Sequence, residues 1–103
     1  MAHEFIGDLS AAVDIPSDGT LSRVLSKADG VRLVAFAFDT AQELTEHTAG
    51  VPAVVQVISG TIRVAIDGDE HTLTPASWLY MAAGTPHSVV ADEPSRMLLT
   101  MLR

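Results

Sequence analysis

Cysteine is absent from the 103 residues, which excludes a disulfide framework, a thiol nucleophile and a thiolate metal site. Any metal must therefore be held by histidine, carboxylate or methionine. Basic residues are scarce: six Lys and Arg stand against thirteen Asp and Glu, a formal charge of −7. The cations, among them Arg23, Lys27, Arg32 and Arg63, are scattered, so nucleic acid and membrane are not expected as partners. No apolar run approaches the roughly 18 residues of a membrane span. The opening MAHEFIGDLS lacks the basic and apolar regions of a secretory signal, and a cytoplasmic protein is expected. No P-loop, dinucleotide fingerprint, G-x-S-x-G or HExxH occurs, and no repeat or linker.

What is present is apolar sequence cut into short lengths. Hydrophobic residues make up 48% of the chain, more than a single small domain hides easily, and a homodimer is expected to cover part of it. Turn signals recur at Pro16–Gly19, Ala28–Gly30, Ser59–Gly60, Asp67–Asp69, Ala82–Pro86 and Asp92–Pro94. Between them lie strand-length runs at Thr20–Ser26, Val31–Phe38, Ala53–Ile58, Thr61–Ile66, Trp78–Met81, His87–Val90 and Met97–Leu102. That rhythm predicts an all-β sandwich or barrel in one domain, with 1–30 as N-terminal strands or arm and 31–103 as the barrel core. In TIRVAIDGDEHTLTP, Ile62, Val64 and Ile66 alternate with Thr61, Arg63 and Ala65, and Asp67-Gly68 supplies a tight hairpin turn. DTAQELTEHTAG is locally ambiguous: Asp39, Gln42 and Gly50 stand where a short helix would be capped.

Of the four histidines, His3 lies in a terminal segment and His71 follows the hairpin turn, a strand-surface or rim position. His47 and His87 each flank a strand, too far apart in sequence for a helical i, i+4 site. Their surroundings resemble the cupin family. The family's first motif, G-x5-H-x-H-x3,4-E-x6-G, lies over Ala41–Gly60, with His47 as the leading histidine and Gly60 as the closing glycine. The second, G-x5-P-x-G-x2-H-x3-N, lies over Ala76–Ala91, with Gly84 and His87 in place. The stretch Thr61–Pro75 matches the short spacing of compact microbial members. The resemblance implies a small antiparallel double-stranded β-helix, the jelly-roll cupin barrel, and favours an extended Glu43–His47 over a helix.

Six marked places hold alanine: 41, 49, 53, 76, 82 and 91. Four of these touch turns and packing, whereas Ala49 and Ala53 stand where the family has its second histidine and its glutamate ligand. The resemblance therefore implies a pocket centred on His47 and His87 with one divalent transition metal (Zn, Fe, Cu, Ni or Mn), and dioxygenase or isomerase chemistry by analogy alone. Zinc sites ordinarily take at least three protein ligands. Glu43, an even number of residues from His47, Glu46 and Thr48, or Met81, Met97 and Met101, are the candidates to supplement the pair. Trp78, Tyr80 and Phe36 or Phe38 are expected at the pocket edge. Gln56, of opposite parity to Ala53, is expected outside it. The alternatives are a metal-free polar pair able to act as general acid or base, a non-catalytic binding module for a small apolar ligand, and a filled barrel in which the pair is a relic.

Overall fold

The structure, a computed structural model, describes residues 2–103. Nine strands form two antiparallel sheets packed face to face: β1 (Thr20–Ser26), β2 (Val31–Phe38), β3 (Glu43–His47), β4 (Ala53–Ser59), β5 (Ile62–Ile66), β6 (Asp69–Leu73), β7 (Leu79–Met81), β8 (His87–Ala91) and β9 (Ser95–Leu102). The first sheet runs β1-β2-β9-β4-β7 and the second β3-β8-β5-β6. This interleaved order is that of a jelly roll, in which the chain repeatedly crosses between sheets. Among the described residues the only helical element is the 3-10 turn Leu9–Ala11, capped by the Asp8 side chain. No helix there is long and apolar enough to cross a membrane.

Alternation sorts each strand into an inward and an outward row. In the first sheet Phe36 and Phe38 of β2 lie opposite Met97 and Ser95 of β9, and Val55 and Val57 of β4 lie opposite Leu99 and Met97. All of these but Ser95 meet Ile62, Val64, Leu73 and Val89 of the second sheet in one core cluster. Phe38, Ile62 and Val64 are wholly buried. The other row of β2, Ala35 and Ala37, faces away from the barrel. It is covered instead by Val13 and Ile15 of the arm that precedes β1. Arg96 fixes that arm, its Nε donating to the Val13 carbonyl at 2.8 Å.

The hairpin at Asp67-Gly68 forms as its sequence requires, with φ of 50° and 83° at the two turn residues and β5 paired to β6 from Ile66↔Asp69 to Ile62↔Leu73. The helix that propensity allows in 39–50 does not form. A turn at Asp39–Gln42, closed by Gln42 N–H donating to the Asp39 carbonyl at 3.1 Å, leads straight into β3. The strand is held because β8 offers it a free edge, and tertiary pairing outweighs weak local preference.

The candidate site: a facing histidine pair

β3 and β8 bring His47 and His87 directly opposite one another as register partners. Their ring centroids are 4.2 Å apart and the planes are inclined at 56°. His87 is buried, at 5% exposure, and His47 lies open at the barrel mouth. The two rings are therefore the inner and outer members of one pair at the end of the core.

Each ring is locked by the same local device. His47 Nδ1 lies 2.7 Å from the Thr45 carbonyl and His87 Nδ1 lies 3.0 Å from the Thr85 carbonyl. A carbonyl can only accept, so Nδ1 carries a proton in both rings, and in the neutral imidazole Nε2 keeps its lone pair. That leaves two Nε2 acceptors, one per ring, with tautomers set by the backbone two residues upstream. Thr85 is fixed in turn by its own hydroxyl, which donates to the Ala82 carbonyl at 2.8 Å. The Gly84 N–H donates to the Ala49 carbonyl at 2.8 Å, tying the two motif loops together.

Glu43 does not join the pair. Glu43 is opposite Val90 and Leu44 opposite Val89, yet the next register partners are His47 and His87. Three residues on β3 thus match two on β8, a bulge that breaks the even-number parity on which the expectation rested. Leu44 and His47 share the inward face, and Glu43 turns outward to a surface groove with Arg63, Glu70 and Val90. Trp78 and Tyr80 likewise stand outside the barrel. They are 64% and 47% exposed, and Tyr80 lies opposite Val54 in the outward row. Met81 does point inward, buried beside Ala53. Gln56 lies outward as parity requires, opposite Leu98. Phe36 and Phe38 are core residues, and Phe38 is wholly buried.

The donor set is short for a metal. Ala53 is fully buried between Met81 on β7 and Met101 on β9, so its methyl group and two thioether side chains occupy the neighbourhood of the expected carboxylate. Among the described residues no group of three His, Cys, Asp or Glu is placed to hold a metal ion. Two imidazoles fall below the three protein ligands of zinc sites.

One residue passed over in the sequence belongs near the site. His71 lies opposite Val64, a core residue, and is two positions from buried Leu73, so it occupies the inward row of β6. With Ile66, Asp67, Asp69, Leu79, Tyr80, Met81, Ala82 and Thr85 it lines an open depression of about 330 Å³. Ile66 is the β5 partner of His87, so this hollow adjoins the pair. The hairpin register carried the signal: pairing outward from Asp67-Gly68 puts His71 across from an apolar residue.

The family described as "Cupin domain" matches residues 34–102. Among solved structures, a conserved protein of unknown function from Streptococcus pyogenes is 30% identical, with a TM-score of 0.86 over 100% of this chain and 90% of its own. A cupin superfamily protein from Desulfitobacterium hafniense superposes with a TM-score of 0.87 at 20% identity, over 99% of this chain and 94% of its own. KdgF from a Halomonas species reaches 0.81 at 22% identity, over 100% and 96%. Among curated protein sequences nothing matches.

Proposed function

The chain belongs to the cupin family, and from that premise we propose that it binds a small, neutral, largely apolar molecule through the histidine pair itself. The observation that carries this reading is the twin lock, which fixes Nδ1 of each ring on a carbonyl and leaves Nε2 for a ligand, at a pair that adjoins a hollow of mixed polar and apolar lining. A lone pair held in place accepts a hydrogen bond from a ligand hydroxyl without first losing rotamer freedom. The same nitrogen can take a proton from a bound molecule, the elementary step of isomerase-type chemistry. The volume of about 330 Å³ is at the small end of ligand pockets. Glu46, Asp67 and Asp69 border an adjoining groove at the hairpin, which disfavours an anion and favours a neutral hydroxyl compound.

Phenol is a suitable probe. In nitrogen-resolved NMR of the imidazoles, phenol is expected to move the Nε2 signals of His47 and His87. Replacing either histidine by alanine is expected to weaken phenol binding about tenfold, the value of one good hydrogen bond. Binding that survives both replacements would remove the pair from the site.

A second reading keeps a metal. Fixing Nδ1 on a carbonyl is also how metal-binding histidines are oriented, and this supports Nε2 coordination by the pair. Zinc and copper titrations of untagged protein separate the readings. Stoichiometric metal that survives dialysis, and is lost in His47→Ala, would favour the metal over the bare pair.

A further inference from the structure

Register sets four inward residues of the second sheet in one line. His47 is paired with His87, His87 with Ile66, and Ile66 with Asp69, on strands that run side by side as β3-β8-β5-β6. Residues in register on adjacent strands point to the same face. The row therefore carries the histidine pair at one end, an isoleucine in the middle and a carboxylate at the other end, next to the hairpin turn. Neighbouring strands lie about 4.8 Å apart, so His87 and Asp69, two strands from one another, stand roughly 10 Å apart with Ile66 between them.

Both ends of the row are free to bind. His87 is 5% exposed and its Nδ1 is taken by the Thr85 carbonyl, while Nε2 has no partner among the described residues. No buried side-chain nitrogen or oxygen there is sealed off without a partner, so this Nε2 keeps access to what enters the mouth. Asp69 is exposed. The two ion pairs among the described residues both belong to Arg63 and use Glu70 and Asp92 instead. Asp69 and Ile66 line the open depression beside the pair, with Leu79 and Met81, and no lysine or arginine lines it. A carboxylate accepts hydrogen bonds and cannot donate one, and no cation of the lining competes for this one.

We propose that Asp69 is the second anchor of the ligand site, and that the ligand is a neutral molecule with a hydroxyl at each end of an apolar spacer. One hydroxyl donates to Nε2 of the histidine pair, the spacer lies over Ile66, and the far hydroxyl donates to the Asp69 carboxylate. A benzene ring with a short alcohol arm has the length this row requires. The inference rests on the hydroxyl-to-imidazole reading above and adds the far end of the ligand to it. A hydrogen bond to an ionised acceptor is roughly twice as strong as one between neutral groups, so Asp69 sets which alcohols the site prefers.

Phenol, para-ethylphenol and para-hydroxyphenylethanol, titrated into the full chain by calorimetry, separate the two ends. The last two share the ring and the two-carbon arm and differ by the far hydroxyl alone. That hydroxyl is expected to tighten binding about tenfold. Asp69→Ala is expected to erase the difference while phenol affinity stays within about twofold. Asp69→Asn, which keeps the shape and a neutral acceptor, is expected to retain part of the difference, and it carries the test if the alanine variant fails to fold by far-UV circular dichroism. Glu70→Gln, on the same strand but facing outward, is expected to retain all of it. Equal affinity of the two arms for the unaltered chain would overturn the proposal and leave the histidine reading standing. An advantage that survives Asp69→Ala would do the same, by assigning the far hydroxyl to another acceptor. Phenol binding that ignores both histidine replacements would remove the underlying reading and this proposal together.

Discussion

Ala41 occupies the left-handed region, with φ of 67°, at the place where the cupin motif carries glycine. Its N–H donates to the Ala91 carbonyl at 2.8 Å, and the Ala91 N–H donates to the Gln42 carbonyl at 2.9 Å, so the turn cannot relax without losing this pairing. A left-handed residue with a Cβ is strained by about 1–2 kcal/mol. Ala41→Gly is expected to raise stability by about 0.5–1 kcal/mol once glycine's extra unfolded-state freedom is offset, measured by urea unfolding. Gly60 is the reverse case. Its φ is 86°, and a Cβ there would lie 2.5 Å from the Pro94 carbonyl oxygen and 2.8 Å from Ser95 Cα. Both obstacles are backbone, so Gly60→Ala is expected to cost upwards of about 3 kcal/mol. Asp39 accepts from the Asp18 N–H at 2.7 Å and the Thr40 N–H at 2.8 Å, and these bonds hold its carboxyl below the usual carboxylate range. A depressed folded value contributes stability above the unfolded pKa, near 4, and loses it as pH falls through the folded value. The urea midpoint should fall on acidification below about pH 4, and less steeply in Asp39→Asn.

The elements differ in how far they could be read. Turn signals at their ends marked β1 and β2 residue for residue, and alternation with its Asp-Gly turn marked β5 and the hairpin, because turn chemistry and period two are local signals. The bulge in β3 could not be counted from spacing, and with it went the facing of Glu43. Parity also states which side chains share a face without saying which face is inside, so the outward position of Trp78 and Tyr80 needed the sheet order. The candidate site was legible as two histidine positions in a family pattern. The carbonyl locks on Nδ1 were not, since they depend on the backbone at Thr45 and Thr85. The bulge itself is testable. Excising Glu46 restores regular alternation from Leu44 to the histidine, which stays opposite His87, but removes the kinked backbone that places the Thr45 carbonyl beside Nδ1. The expected outcome is a stable fold whose outer imidazole populates both neutral tautomers in nitrogen NMR. A fold that collapses would show the bulge to be structural.

Across the whole molecule, the arm acts as a third layer over part of the first sheet. Val13 is buried at 3% exposure against Ala35 and Ala37, which are themselves wholly buried. Those alanines leave room for the arm, where larger residues would hold it off. Val13→Ala is expected to cost about 1–2 kcal/mol by the usual loss of buried methyl groups, read as a shift in melting temperature. Confining the acidic residues to one sheet, the arm and the loops has a further effect at this scale. Glu43, Glu46, Asp67, Asp69 and Glu70 gather on the side of the hairpin and barrel mouth and set a negative local field there. Anionic compounds should therefore reach the mouth more slowly as ionic strength is lowered, while uncharged ones arrive at a rate indifferent to salt. On the proposed function, charge would sort candidate ligands before any of them reached a histidine.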